Sequence, residues 1–169
     1  MIDSFKHKGL RNKLIEELSE KGIIDSGVLN AISKIPRHLF MDSGFIDHAY
    51  QDKAFPIGSG QTISQPFTVA FQTQLLEIKK GNKILEIGTG SGYQAAVLCE
   101  MGAKVYTIER IRELYRKTSS FLPSINYYPK KMIYGDGYEG LEEEAPFDGI
   151  IVTAGASKIP EKLLLQLKV

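Results

Sequence analysis

The chain has 169 residues and a mass of 18.8 kDa, which is the size of one ordinary globular domain. Its 21 Lys and Arg residues nearly balance its 20 Asp and Glu residues, so the net charge of +1 gives no general reason to bind nucleic acid or an anionic membrane. A hydrophobic content of 43%, a single cysteine (Cys99) and the lack of an apolar leader or membrane span predict a soluble cytoplasmic protein without disulfides.

The first 80 residues are predicted to be helical and loop-like. Leucines recur every four residues in the first segment, which predicts a helix. Pro36 ends a second helix, because the residue before a proline leaves the α region, and Pro66 fits the first turn of a third. The predicted elements are helices over residues 8–21, 25–36 and 66–80, with a long loop or short strand at 52–60.

From about Gly81 onward, short apolar runs alternate with amphipathic segments, as in an α/β unit with a parallel sheet. Strands are predicted at 84–87, 104–108, 131–134 and 148–153. The helices predicted after them cover 93–101, 111–122, which Pro123 ends, and 160–168.

The most informative heptapeptide is Glu86-Ile87-Gly88-Thr89-Gly90-Ser91-Gly92, which lies between a predicted strand and a helix. It is not a Walker loop, and Tyr93 stands where the dinucleotide fingerprint has its third glycine. The glycines allow a sharp turn and a close ligand, while the acidic Glu86 suits a cationic head such as that of S-adenosylmethionine rather than a pyrophosphate. The alternative is a plain strand-to-helix turn with spare glycines.

Two further acidic residues follow predicted strands. Glu109 ends the second strand, where a carboxylate can accept both ribose hydroxyls of a nucleoside, and Asp136, before Gly137, could accept a hydrogen bond from an adenine amino group. Ligands of such sheets bind at the carboxyl ends of the strands, where these side chains would meet. The alternatives are a solvent-exposed Glu that caps the next helix and an Asp in a surface turn.

Several stretches together resemble the protein-L-isoaspartate (D-aspartate) O-methyltransferase family. The most specific is Gln61-Thr62-Ile63-Ser64-Gln65-Pro66, which generic methyltransferases lack. The other matching stretches are Pro36-Arg37-His38 with Phe40, Ala49-Tyr50-x-Asp52, Pro56-Ile57-Gly58, Leu85 to Ala96, Gly135-Asp136-Gly137, Ala145 to Asp148 and Gln166-Leu167-Lys168. The resemblance covers nearly the whole chain.

The resemblance implies a Rossmann-like class I S-adenosylmethionine-dependent methyltransferase fold with an N-terminal helical extension. A helical and substrate-loop region at 1–80 would pack on an α/β cofactor-binding core at 81–169, as one structural domain. The implied reaction methylates the free α-carboxylate of L-isoaspartyl and D-aspartyl residues in damaged proteins, which begins their repair. Ser64 would be the active-site residue. The expected cofactor-binding residues are Gln61, Thr62, Ile63, Ser64, Glu86, Gly88, Thr89, Gly90, Gly92, Glu109, Asp136 and Gly137.

The implied chemistry needs little from the protein beyond orientation. A carboxylate is ionised at neutral pH and needs no general base, so proximity and in-line alignment, which can supply roughly 7–11 kcal/mol, would be the main contribution. Ser64 would donate a hydrogen bond that holds the carboxylate, although it could also cap the helix that begins at Pro66. The three histidines are not spaced as ligands on a common helix face, so no metal is expected.

The chain departs from the family at Val169, where family members continue into a Gly-Gly turn and further strands. The fourth predicted strand, apolar at Ile150-Ile151-Val152, would then have an uncovered edge, which predicts either a truncated chain with its C-terminal strands missing or a sheet completed by another copy. Two alternatives to the isoaspartyl enzyme stay open: a small-molecule methyltransferase, against which the Gln61–Pro66 stretch argues, and a non-catalytic cofactor-binding module.

Overall fold

The computed structural model describes residues 3–155 and 160–168. The chain divides into two compact units, Met1–Glu77 and Ile78–Val169, close to the boundary between the two predicted regions. Within the described residues, no helix combines the length and the apolar character needed to cross a bilayer.

The first unit contains three helices and a hairpin. Ser4 caps α1 (Phe5–Glu20) by accepting a hydrogen bond from the His7 amide, and Asp25 caps α2 (Ser26–Lys34) by accepting from two amides of its first turn. Two short 3₁₀ segments, Arg37–Phe40 and Ser43–His48, follow, and α3 runs over Pro66–Leu75. The core of this unit is aliphatic and includes Leu14, Leu18, Val28, Ile32, Ile35 and Val69.

Between α2 and α3 lies an antiparallel hairpin, β1 (Phe55–Gly58) and β2 (Gln61–Ile63), in which Phe55 pairs with Ile63. Sequence reasoning had assigned 52–60 to a long loop or short strand. The hairpin escapes a periodicity search because its strands have only four and three residues. Its turn takes positive φ angles at Ser59 and Gly60, which reverse the chain within two residues.

The second unit is a four-stranded parallel sheet with the strand order β5-β4-β3-β6, which confirms the predicted α/β class. Its elements are β3 (Lys83–Ile87), α4 (Tyr93–Glu100), β4 (Lys104–Glu109), α5 (Arg112–Ser124), β5 (Lys131–Tyr134), β6 (Gly149–Val152) and α6 (Glu161–Leu164). An apolar cluster on the sheet includes Leu85, Ile108, Phe147 and Leu163. The reversal of strand order falls between β3 and β6, so the ends of the central strands form the ligand edge expected of such sheets.

Several predicted helix ends differ from the structure, among them those of α3, α5 and α6. Helix α3 stops at Leu75 rather than Lys80, and Glu77 then adopts a positive φ of 46° that cannot continue a helix. Helix α5 continues through Pro123 to Ser124, because a proline in the last turn removes only the hydrogen bond of its own amide. Helix α6 ends at Leu164, since the chain then leaves the helix and Leu167 forms a parallel bridge with Phe147.

Candidate cofactor and substrate sites

The glycine turn joins β3 to α4, as predicted. Gly88, Gly90 and Gly92 have φ angles of +98°, +52° and +83°, a region that residues with a Cβ rarely occupy. A Cβ on Gly88 would lie 2.9 Å from the Cβ of Ala154, and one on Gly92 would lie 2.7 Å from Cγ2 of Thr118. These two glycines are therefore required by both backbone conformation and packing.

Hydrogen bonds from neighbouring elements fix this turn. The amides of Gly88 and Thr89 both donate to the carbonyl of Ile108 in β4, at 2.9 and 3.3 Å. The Thr153 hydroxyl donates to the Gly88 carbonyl at 2.7 Å, and the Thr118 hydroxyl donates to the Gly90 carbonyl at 2.7 Å. Sequence reasoning missed Thr118 and Thr153, because their partners lie 28 and 65 residues away and no local motif marks them.

Glu109 is the last residue of β4 and is brought directly to the glycine turn. Its side chain is buried, and Oε2 accepts a hydrogen bond from the Gly90 amide at 2.8 Å. Oε1 accepts from the Ile111 amide, also at 2.8 Å, just before α5. Each carboxylate oxygen keeps a second lone pair that can accept from a ligand hydroxyl. Glu109 therefore braces the turn and still offers acceptor capacity at the strand ends.

Glu86 lies inside the sheet and its side chain is fully buried. Its Oε2 is hydrogen-bonded to the Thr107 hydroxyl at 2.6 Å, and the Thr107 hydroxyl is in turn hydrogen-bonded to the Thr89 hydroxyl at 2.5 Å. Burial, with a smaller contribution from the nearby Glu109, raises the pKa of Glu86 to about 8. The carboxyl group is therefore largely protonated at neutral pH, and it supports the turn through Thr89.

Asp136 and Gly137 follow β5. Asp136 is exposed, and its Oδ1 accepts from the Tyr138 amide at 3.0 Å, which caps a short 3₁₀ helix. Gly137 is buried against β3, since a Cβ there would lie only 2.2 Å from Cγ2 of Ile87. The segment that follows β5 therefore contacts the end of β3, and Asp136 stays available at the edge.

The Gln61–Pro66 stretch belongs to the first unit. Gln61 and Thr62 are exposed on β2, Ile63 is buried, and Ser64 is half-buried between β2 and α3. Ser64 does not cap α3: the N-cap position is Gln65, and its side chain makes no capping hydrogen bond. The Phe67 amide instead donates to Oδ1 of Asp52 at 2.7 Å. The capping alternative for Ser64 is therefore wrong.

A cluster of possible metal ligands in the first unit also went unnoticed in the sequence. Asp3, His7 and His38 have ligand atoms within 4.8 Å of one another, because α1 and the first 3₁₀ segment meet there. The Arg11 guanidinium already holds the Asp3 carboxylate, at 2.9 Å, and the rings of His7 and His38 stack with their centroids 3.8 Å apart. A dication would have to displace this cation, so we interpret the cluster as structural.

The hydrogen-bond acceptors at the strand ends of the second unit fit S-adenosylmethionine. Glu109 keeps free lone pairs beside the glycine turn, and Asp136 is exposed at the neighbouring strand end. Carboxyl oxygens suit a ligand that carries hydroxyls, amino groups and positive charge, and they would repel a pyrophosphate.

Comparisons with known proteins agree with this arrangement. The family described as Protein-L-isoaspartate(D-aspartate) O-methyltransferase (PCMT) matches residues 9–169. A protein named protein-L-isoaspartate O-methyltransferase from Christiangramia forsetii is 65% identical over 169 residues, which is all of this chain and 79% of that protein.

Two solved structures named for the same activity are also similar. One has a TM-score of 0.83 and 31% identity and covers 94% of this chain and 52% of its own. The other, from Plasmodium falciparum in complex with S-adenosyl-L-homocysteine, has a TM-score of 0.77 and 28% identity and covers 96% of this chain and 79% of its own. The Rossmann-like methyltransferase fold is thereby confirmed.

Proposed function

The chain belongs to the protein-L-isoaspartate(D-aspartate) O-methyltransferase family, and we propose that it methylates the free α-carboxylate of L-isoaspartyl and D-aspartyl residues in damaged proteins. The structural observation that carries the proposal is the Glu109 carboxylate held against the Gly90 amide at the carboxyl ends of a parallel sheet. That arrangement combines a glycine turn with acceptor oxygens where a nucleoside binds in this class of sheet.

The second unit would hold the cofactor. When bound, S-adenosylmethionine supplies a methyl group on a positively charged sulfur. Glu109 would accept hydrogen bonds from the ribose hydroxyls, and Asp136 would accept one from the adenine amino group. Gly88, Gly90 and Gly92 keep the turn free of side chains, and Thr89 and Gly137 complete the edge.

The first unit would hold the substrate. An isoaspartyl carboxylate is already ionised at neutral pH, so no residue has to remove a proton from it. The Ser64 hydroxyl would donate a hydrogen bond to one carboxylate oxygen and leave the other free to attack the methyl group. From the family resemblance we also assign Gln61, Thr62 and Ile63 a part in holding the cofactor.

The proposal is tested by methyl transfer from radiolabelled S-adenosylmethionine to an isoaspartyl peptide and to its normal aspartyl twin. We expect labelling of the isoaspartyl peptide only, as a base-labile ester. Binding of S-adenosylhomocysteine without transfer to either peptide would favour the non-catalytic module. Transfer to small carboxylic acids with no preference for the isoaspartyl peptide would favour a small-molecule methyltransferase.

We further propose that the free edge of β6 pairs with another copy of this chain. One side of β6 pairs with β3, whereas on the other side the described residues show only the Phe147–Leu167 bridge. Light scattering should then give a mass above 18.8 kDa that falls on dilution, and a monomer at all concentrations would contradict the pairing.

The low net charge and the single cysteine are the grounds on which we propose a cytoplasmic protein that does not bind nucleic acid.

A further inference from the structure

Asp52 is a buried carboxylate that gathers three donors in the first unit. Its side chain is 3% exposed. Oδ1 accepts from the Phe67 amide at 2.7 Å, while Oδ2 accepts from Nε2 of Gln65 at 3.0 Å and from Nζ of Lys21 at 2.6 Å. Burial opposes the charge, but these three donors outweigh it and lower the pKa of Asp52. The side chain is therefore an ionised acceptor that receives hydrogen bonds from three different residues.

The bond to Phe67 replaces a helix cap that α3 lacks. A helix begins with amides that have no partner inside the helix, and a side chain at the N-cap usually accepts one of them. Gln65 occupies the N-cap of α3 and makes no such bond. Asp52 supplies the acceptor from 15 residues upstream and also holds the Gln65 side chain. Both contacts fix the chain immediately after Ser64.

The chain immediately before Ser64 is fixed by different contacts. Ile63 pairs with Phe55 across the hairpin and is 2% exposed. Ser64 thus lies between a strand held by pairing and a helix start held by Asp52. A shift of the helix start would move the Ser64 hydroxyl while the hairpin stays in place. The carboxylate of Asp52 is the element that prevents this shift.

We propose that Asp52 is a positioning residue for methyl transfer, which fixes the Ser64 hydroxyl by holding Gln65 and the first turn of α3. This inference rests on the proposed function. Lys21, the residue that follows α1, is also bound by Glu17 at 2.5 Å and orients the Asp52 carboxylate. Neither Asp52 nor Lys21 needs to touch the substrate for this role.

The test is Asp52→Asn in the full chain, with the isoaspartyl peptide as substrate. One side-chain oxygen can still accept from the Phe67 amide, but the new amide nitrogen cannot accept from Gln65 or Lys21. We expect kcat to fall roughly tenfold to a hundredfold, because a small misplacement of an orienting group has effects of this size. The dissociation constant of S-adenosylhomocysteine should change by less than about threefold, because Asp52 is not among the proposed ligands of the cofactor.

Asp47→Asn is the matched control, because Asp47 is an exposed carboxylate in the same unit that pairs only with Lys6 among the described contacts. It should leave kcat unchanged. Gln65→Met is the second variant: it removes one of the bonds to Asp52 and preserves the Phe67 cap, so it remains informative if Asp52→Asn fails to fold. We expect a smaller fall in kcat for Gln65→Met at a temperature well below its melting transition.

The outcomes separate this inference from the proposed function. A folded Asp52→Asn variant with a kcat within twofold of the parent would overturn the role of Asp52 and leave the proposed function standing. If Asp52→Asn does not fold, an unchanged kcat for Gln65→Met would overturn it. An unsubstituted chain that transfers no methyl group to the isoaspartyl peptide would contradict both.

Discussion

The side chain of Glu86 shows how a sequence motif and its physical role can differ. A carboxylate at the end of a strand suggests a partner for a cationic ligand, yet this one lies between β4 and β6, opposite Thr107 and Ile151 in the register. Ionising it there costs solvation that one hydroxyl donor does not restore. Its evident contribution is the chain of hydrogen bonds through Thr107 to Thr89, which stiffens the glycine turn from below.

The raised pKa of Glu86 predicts a pH dependence of stability. The pKa of Glu86 is about 8 in the folded protein against its ordinary value of 4.5, so between these values the folded state binds the extra proton. The free energy of unfolding should therefore fall as the pH rises from 4.5 to 8, and Glu86→Gln, which resembles the protonated form, should flatten that fall. Urea unfolding of both proteins across this range is the measurement.

His38 also makes the free energy of unfolding depend on pH, in the opposite direction to Glu86. Its effect cancels when the parent is compared with Glu86→Gln. Burial, with the nearby His7 as a smaller cause, lowers the pKa of His38 from 6.5 to about 4, so its contribution to stability is lost as the pH falls through this range. Because His38 is present in both proteins, only Glu86 distinguishes them. Glu142→Gln, at an exposed position, is the control and should keep the parent slope. Parallel curves for the parent and Glu86→Gln would contradict the assignment.

At the scale of elements, local chemistry was predictable and long-range contact was not. The strand, glycine turn and helix over 83–100 follow from residues that are adjacent in sequence. The bond from Phe67 to Asp52 spans 15 residues, and that from Thr118 to Gly90 spans 28. A single sequence does not show which distant side chain forms a hydrogen bond with a backbone amide or carbonyl that has no local partner.

The family resemblance did reach the Asp52 and Ser64 stretches, but it could not say what Asp52 does. Polar residues in short, irregular segments have no periodicity to reveal their partners. The sequence allows a short strand at 52–60 but does not predict the hairpin, because its pairing depends on two turn residues with positive φ rather than on alternation. The sequence therefore indicates which segments belong to the candidate site, and the structure shows the hydrogen bonds that hold those segments in place.

The contact between the end of β3 and the segment that follows β5 gives a prediction for Gly137→Ala. A Cβ at this position would meet Cγ2 of Ile87 at 2.2 Å, and Ile87 is too stiff and buried to move away freely. Overpacking of this kind costs about 1–3 kcal/mol, and the displaced end of β3 would also weaken cofactor binding at Gly88. Urea unfolding and titration with S-adenosylhomocysteine measure the two effects.

Gly135→Ala is the matched control for that prediction. It lies two residues away, and its new Cβ would meet Ile133 at an ordinary 3.7 Å. The stability and the affinity of this variant should stay close to those of the parent. Equal losses for the two variants would show that the close approach of Gly137 to Ile87 is not the cause.

At the scale of the whole molecule, the proposed roles follow the division into two compact units. Ser64 and Asp52 belong to Met1–Glu77, whereas the glycine turn, Glu109 and Asp136 belong to Ile78–Val169. Each unit has its own buried aliphatic core. A ligand that binds through the strand ends should therefore act first on the second unit, and this can be observed without any assay of methyl transfer.

We expect S-adenosylhomocysteine to stabilise the chain by mass action, by about 2.7 kcal/mol at a concentration of 100 times its dissociation constant. Hydrogen exchange should slow most at the amides of 88–92 and 109–111, because Gly90 and Ile111 already donate to the carboxylate that would accept the ribose hydroxyls. Glu109→Gln, compared with its own ligand-free state, should show a smaller shift of the melting temperature, since an amide accepts through one atom only. Protection confined to residues 3–77, or an equal shift for Glu109→Gln, would show that the nucleoside binds elsewhere.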